Sequence, residues 1–119
     1  MSHIVNVKTK VTDVAAVQAA CQRLGLGLPT QGTFKLYTQQ RTGLGVQLPD
    51  WKYPIVIDQA TGSLDYDNYN GSWGNQRHLD AFMQAYATEK TKLEAAKNGY
   101  SVFEETLSDG SIKLSVTVE

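Results

Sequence analysis

The segment that links the predicted strands to the predicted long helix reads Asp65-Tyr66-Asp67-Asn68-Tyr69-Asn70-Gly71-Ser72-Trp73-Gly74. Asp, Asn and Gly favour turns and helix caps, so this composition marks the end of one element and the start of another. Before the segment, apolar residues alternate with polar ones, and after it they recur at helical spacing. This change of period predicts an α+β fold.

Period-two alternation predicts the strands that precede this segment. The strand patterns cover residues 5–11, 33–38, 44–48, 53–58 and 63–66. Polar residues 39–43, which end in Gly43, predict the turn of one hairpin, and residues 59–62 predict the turn of the next. Strands joined by such short connections pair antiparallel.

Two helices are predicted, one on each side of these hairpins. Thr12-Asp13 predicts the cap of a helix over about residues 13–24, with Cys21 on its apolar face. Asn75 predicts the cap of a longer helix that ends at Asn98-Gly99. We expect Cys21 to be a small buried hydrophobic residue with no reactive role.

A third hairpin, with its turn at Asp109-Gly110, is predicted after the long helix. The expected order of elements is β-α-β-β-β-β-α-β-β. We therefore expect a mainly antiparallel sheet with two helices packed on one face, in a single α+β domain over residues 1–119. The sheet edges could pair in a homodimer.

Composition argues against several classes of protein. Eleven Lys and Arg against twelve Asp and Glu give a net charge of -1, which disfavours non-specific binding to nucleic acid. The longest apolar runs, such as residues 54–57, are far too short to span a membrane. Residues 1–4 lack the features of a signal peptide, so we expect a cytoplasmic protein with no membrane partner.

No motif in the sequence indicates a cofactor. A lone cysteine excludes an internal disulfide and a Cys-x-x-Cys site, and no Walker loop or dinucleotide fingerprint occurs. An EF-hand loop that started at Asp65 would place Tyr69, Asn70 and Gln76 at its fifth, sixth and twelfth positions, which does not match. We assign no catalytic residue, metal ligand or cofactor.

The segment 65–74 is nevertheless a candidate binding surface. The candidate residues are Asp65, Tyr66, Asp67, Asn68, Tyr69, Asn70, Trp73 and His78. Aromatic rings beside amides and short acids are typical of protein interfaces, with Tyr69 and Trp73 as the anchors. The simpler interpretation is structural: the polar residues form the turn, and the rings fix it to the core.

Two further interpretations stay open. Asp65 and Asp67 would share a face of an extended strand and, with His78, could hold a metal ion or transfer a proton. His3, at the edge of the N-terminal strand, is as ambiguous as His78 between a surface residue and a functional one. Residues 53–76 contain no Lys or Arg, so we expect a locally negative field that repels phosphate groups.

Nucleic acid could instead bind a sheet face that carries several lysines. The lysines that would share this face are Lys8, Lys10, Lys35 and Lys113. The aromatic-basic runs at residues 34–37 and 51–53 are too short to add weight to this interpretation.

Several stretches also resemble a known family. They are Met1-Ser2-His3-Ile4, Tyr53-Pro54-Ile55-Val56, Tyr66-Asp67-Asn68-Tyr69, Gly71, Trp73-Gly74, Leu79, Gln84-Ala85-Tyr86 and Gly99-Tyr100. Over nearly its whole length the chain resembles the domain of unknown function 1257 family, which includes hypothetical chloroplast reading frame 35 and similar proteins from cyanobacteria, other bacteria and phages.

The resemblance implies no particular activity, cofactor or catalytic residue. Because family members are often encoded near an AAA-type ATPase, it implies an accessory role in a multi-protein system. Our first hypothesis is therefore a non-enzymatic adaptor that binds a protein partner, such as that ATPase, through residues 65–74. The alternatives are a small metal- or ligand-binding enzyme or sensor and a weak nucleic-acid binder.

Overall fold

A computed structural model describes residues 4–118 and contains two helices and seven strands in the predicted order. The elements are β1 Val5–Val7, α1 Val14–Arg23, β2 Thr30–Leu36, β3 Gln39–Val46, β4 Ile55–Ile57, β5 Leu64–Tyr66, α2 Gln76–Lys97, β6 Ser101–Thr106 and β7 Ile112–Thr117. The α+β class is confirmed. His3 lies outside the described residues.

Five strands form one antiparallel sheet in the order β1-β5-β4-β3-β2. Strands β2 to β5 follow one another as a meander, and β1 pairs with β5 at the far edge. The remaining strands, β6 and β7, form a separate two-stranded sheet. Strand patterns predict pairing between neighbours along the chain, but they do not specify whether a last hairpin joins the main sheet.

Both helices cover the same face of the five-stranded sheet. Val7, Leu64, Ile57 and Leu44 form a row across that face, and they pack in one core with residues of both helices. The helical residues of this core include Ala16, Val17, Ala20, Cys21, Leu79, Phe82 and Tyr86. Cys21 is buried as expected, and burial raises the pKa of its thiol.

The predicted caps of both helices are confirmed. The Asp13 carboxylate accepts a hydrogen bond from the Ala16 N–H over 3.2 Å at the start of α1. The Asn75 side chain accepts one from the Arg77 N–H over 2.9 Å at the start of α2. Each cap satisfies an N–H group that lacks a partner within its helix.

Two local predictions were wrong. The first hairpin turns at Tyr37-Thr38, and residues 39–43 belong to β3, where Leu36 pairs with Gln39. Strand β1 ends at Val7, before the end of its alternating pattern. Beyond β1 the chain still follows the core, because the Val11 N–H donates to the Gly62 carbonyl over 3.0 Å and Val11 is buried.

Glu104 joins the hairpin of β6 and β7 to both helices. Arg23, at the end of α1, donates to both carboxylate oxygens of Glu104, with 2.9 Å between Nη1 and Oε1. Lys92 of α2 approaches the same carboxylate within 3.5 Å. On the other face of the hairpin, Phe103 is 69% exposed. Among residues 4–118, neither helix combines the length and the apolar character needed to cross a bilayer.

Candidate functional site

The first half of segment 65–74 is internal. Tyr66 is buried and its ring meets that of Trp51 edge-on, with 5.5 Å between ring centroids. Asp67 is only 2% exposed and accepts a hydrogen bond from the Tyr69 N–H over 3.2 Å. The buried Asn68 side chain donates to the Gly74 carbonyl over 3.1 Å. These three residues shape the loop, as the structural interpretation predicts.

The second half of the segment faces solvent. Tyr69 is 38% exposed, Asn70 is exposed and Trp73 is half-buried. The rings of Tyr69 and Trp73 meet edge-on, with 4.8 Å between centroids and 85° between planes. A short 3₁₀ turn at Tyr69–Gly71 brings them together. The two predicted anchors therefore form one partly exposed pair.

Residues from two distant parts of the chain complete this cluster. Tyr37, at the turn between β2 and β3, lies 5.2 Å from the Trp73 ring, and Tyr53 lies 5.7 Å from it, both measured between centroids. The Lys52 ammonium lies 4.5 Å from the Trp73 centroid and 5.6 Å from that of Tyr53. We call these five residues, Tyr37, Lys52, Tyr53, Tyr69 and Trp73, the Trp73 surface.

The loops beneath the Trp73 surface are fixed by specific contacts. The Lys52 N–H donates to the Trp73 carbonyl over 2.8 Å, which ties the two loops together. The buried Trp51 indole donates to the Asn75 carbonyl over 3.0 Å, at the cap of α2. Its ring lies directly against Gly74, where a Cβ would come within 2.6 Å of three ring atoms. The surface therefore rests on the core and on the start of the long helix.

Backbone strain is concentrated at the Trp73 surface. Within residues 4–118, four non-glycine residues have a positive φ, and three of them are Tyr37 at +62°, Tyr69 at +47° and Asn70 at +52°. Each such conformation costs on the order of 1–3 kcal/mol for a residue other than glycine. Asn tolerates it better than Tyr. Tyr37 and Tyr69 both contact the Trp73 ring, and aromatic pairs of this kind contribute about 0.5–1.5 kcal/mol each, which offsets part of this cost.

Asp65, Asp67 and His78 do not form a cluster. The Asp65 carboxylate is bound by Arg41 Nε over 3.2 Å and by Asn6 Nδ2 over 2.6 Å on the sheet face away from the helices. His78 is half-buried in the first turn of α2, and no hydrogen bond or ion pair among the described residues joins it to either acid. Across residues 4–118, no three His, Cys, Asp or Glu side chains are grouped for a metal ion.

The acids of residues 53–76, from which a locally negative field is expected, are not members of the Trp73 surface. Asp65 is paired with Arg41, and Asp67 is buried beneath the loop. The charged side chain at the surface itself is Lys52, which lies one residue before the window that lacks Lys and Arg. The fold therefore supplies a positive charge that the local sequence does not predict.

The lysines proposed for a nucleic-acid face are dispersed. Lys8 and Lys10 follow the end of β1, whereas Lys113 lies on β7 in the separate hairpin. Lys35 pairs with Gln40 near the end of the first hairpin. A continuous basic face, the observation on which that interpretation depends, is missing from the described part of the chain.

Sequence reasoning missed Tyr37, Lys52 and Tyr53 as parts of the site. The signal that could have identified them is the pair of aromatic-basic runs at residues 34–37 and 51–53, which taken alone bear only on nucleic-acid binding. Both runs are distant from residues 65–74 in the sequence. Only the tertiary fold brings both against Trp73.

No protein-family model, curated protein or solved structure matches this chain. The resemblance to the domain of unknown function 1257 family therefore stays a hypothesis.

Proposed function

We propose that the protein is a non-enzymatic binding module that presents the Trp73 surface to a protein partner. The observation that supports this proposal is the group of partly exposed rings around Trp73, built from three separate segments of the chain. Tyr and Trp are the residues that most often dominate the energy of protein interfaces.

Two properties of this surface suit it to binding. Tyr37 is 43% exposed and Tyr69 is 38% exposed, so a partner would remove further apolar area from water. The rings are already ordered by mutual contacts, so less conformational entropy is lost on association. The strained dihedral angles of Tyr37 and Tyr69 are consistent with selection for a surface shape, because strain of this kind collects at functional sites.

The identity of the partner is a separate part of the proposal. The family resemblance favours an accessory role beside an AAA-type ATPase, and we propose that ATPase as the first partner to test. A metal- or proton-transferring role has less support, because Asp65 is engaged by Arg41 and Asn6.

The experiment compares partners recovered by the wild type and by a Tyr69→Ala plus Trp73→Ala double variant, with quantitative mass spectrometry. Circular dichroism and thermal melts must first show that the double variant is folded. Phe103→Ala is the matched control, because Phe103 is exposed but lies on the C-terminal hairpin.

We expect a specific partner, with the proposed ATPase as the first candidate, to be lost from the folded double variant and retained by Phe103→Ala. Equal recovery by the wild type and the double variant would remove the proposal. Equal loss of the partner from the double variant and from Phe103→Ala would mean that exposed rings bind proteins without specificity. That result would also contradict the proposal.

A further inference from the structure

We propose that the Trp73 surface receives an acidic protein segment, in which a carboxylate binds Lys52 and a neighbouring apolar side chain packs against Tyr69 and Trp73. This inference rests on the proposed function, because it names the chemical class of the partner for the same surface. It starts from the position and the unused hydrogen-bond donors of one side chain, Lys52.

Lys52 lacks an acidic partner among the described residues. Its ammonium lies over the Trp73 ring at 4.5 Å from the centroid, and within residues 4–118 it makes no ion pair and no side-chain hydrogen bond. A π face attracts a cation but satisfies none of its three N–H donors. Those donors are available to an acceptor that a partner provides.

Five other cations also make no ion pair among the described residues, namely Lys8, Lys10, Lys35, Arg77 and Lys113. Lys52 differs from them in its position over the Trp73 ring, whereas the remaining cations are paired with acids. Arg41 is paired with Asp65, Arg23 and Lys92 with Glu89 and Glu104, and Lys90 with Asp13 and Glu94. These side chains hold elements of the fold together. Lys52 is exposed, and the contacts of its ammonium are with the rings of the Trp73 surface.

A carboxylate fits this position better than a cation. The face of Trp73 is the place where an incoming Lys or Arg would be attracted, and the Lys52 ammonium already lies there. A second cation would meet repulsion between like charges. An incoming carboxylate would gain charge-assisted hydrogen bonds, and these would strengthen as the surrounding rings exclude water.

A protein segment fits better than a nucleic acid. A nucleic-acid strand carries regularly spaced phosphates and is bound by a track of several cations. At the Trp73 surface the aromatic rings are accompanied by one lysine, and the chain has a net charge of -1. One carboxylate beside one apolar anchor matches a single lysine beside a ring cluster.

The test uses a phage-displayed library of random peptides as the probe. Selection on the immobilised wild-type protein is followed by removal of phage that also bind the folded Tyr69→Ala plus Trp73→Ala variant. Enriched peptides are synthesised and titrated against the wild type, Lys52→Arg and Lys52→Glu. A fluorescent random-sequence single-stranded DNA is titrated against the same three proteins.

We expect enriched peptides with Asp or Glu beside an apolar residue. Their affinity should fall about tenfold or more in Lys52→Glu, the loss typical of one charge-assisted interaction, and change less than about threefold in Lys52→Arg. DNA should bind all three proteins weakly and with little difference between them.

The alternative outcomes separate this inference from the proposed function. Enrichment of basic or uncharged peptides, or equal affinity for Lys52→Glu, overturns the acidic partner but leaves the Trp73 surface as a binding site. Tighter binding of DNA than of any peptide, lost in Lys52→Glu, also overturns the acidic protein segment. If no peptide binds the wild type more strongly than it binds the double variant, both proposals are overturned.

Discussion

Lys52 and Trp73 are joined twice, once by a hydrogen bond from the Lys52 N–H to the Trp73 carbonyl over 2.8 Å and once by the Lys52 ammonium over the Trp73 ring. The backbone bond fixes where the two loops meet, and the side-chain contact places a positive charge over a half-buried ring. The same two residues therefore fix the position of the loops and the charge of the Trp73 surface.

The two tryptophans should differ in their access to solvent. Trp51 is 4% exposed and donates to the Asn75 carbonyl, whereas Trp73 is half-buried at the surface. We expect acrylamide to quench the fluorescence of Trp73 several-fold more efficiently than that of Trp51, measured in the single variants Trp51→Phe and Trp73→Phe. Equal quenching in the two variants would show that the Trp73 surface is closed.

Gly74→Ala should destabilise the protein by about 1–3 kcal/mol, because a Cβ there would lie 2.6 Å from two atoms of the Trp51 ring. The ring cannot move away without losing its hydrogen bond to the Asn75 carbonyl. Gly27→Ala is the matched control, since nothing lies within 4 Å of its Cβ position. Urea denaturation measures the free energy of unfolding of both variants. Similar values for the two would contradict the packing described.

Local patterns were sufficient for most of the fold. The caps at Asp13 and Asn75 and the turn at Asp109-Gly110 depend on residues that are close in sequence, and each lies where it was predicted. The turn of the first hairpin was misplaced because Gly43 resembles a turn glycine. It is a strand residue whose Cβ position lies 3.1 Å from Val56 Cγ1, so it is needed for close packing.

The candidate site was predictable only in part. Tyr69 and Trp73 share one short segment, so composition alone identified them as anchors. Tyr37 and Lys52 reach Trp73 through contacts between segments far apart in sequence, which no local pattern encodes. The positive φ of Tyr37 runs against the preference of tyrosine, and it is required because Tyr37 is the first residue of a two-residue hairpin turn.

Divalent metal ions should not stabilise this protein through Asp65 and Asp67. Asp65 is already bound by Arg41 and Asn6, and residues 4–118 offer no group of three ligands. Magnesium, manganese, calcium and zinc should each shift the Tm by less than about 1 °C, whereas a site filled at 100 times its Kd would add about 2.7 kcal/mol. A larger shift that disappears in Asp67→Asn would revive the metal-binding interpretation.

The ion pair between Arg23 and Glu104 should make stability depend on acid pH. The Arg23 guanidinium, with a smaller effect from Lys92, lowers the pKa of Glu104 from 4.5 to about 2. Because the pKa is lower in the folded state, the charged carboxylate contributes stability above pH 4.5 that is lost as the pH falls toward 2. The full pKa shift would correspond to roughly 3.4 kcal/mol at about 1.36 kcal/mol per unit. Both partners are partly exposed and screened by solvent, so we expect a contribution of about 1 kcal/mol.

Glu104→Gln should therefore be less stable than the wild type at pH 7, and the difference should shrink as the pH falls from about 4.5 to 2. Glu105→Gln is the matched control, since Glu105 is the next residue on β6 and makes no ion pair among residues 4–118. Urea titrations from pH 7 to pH 2 give the free energies of unfolding for all three proteins. A gap that stays constant across this range would show that Glu104 stabilises the hairpin by packing, because only a charge interaction disappears when the carboxylate is protonated.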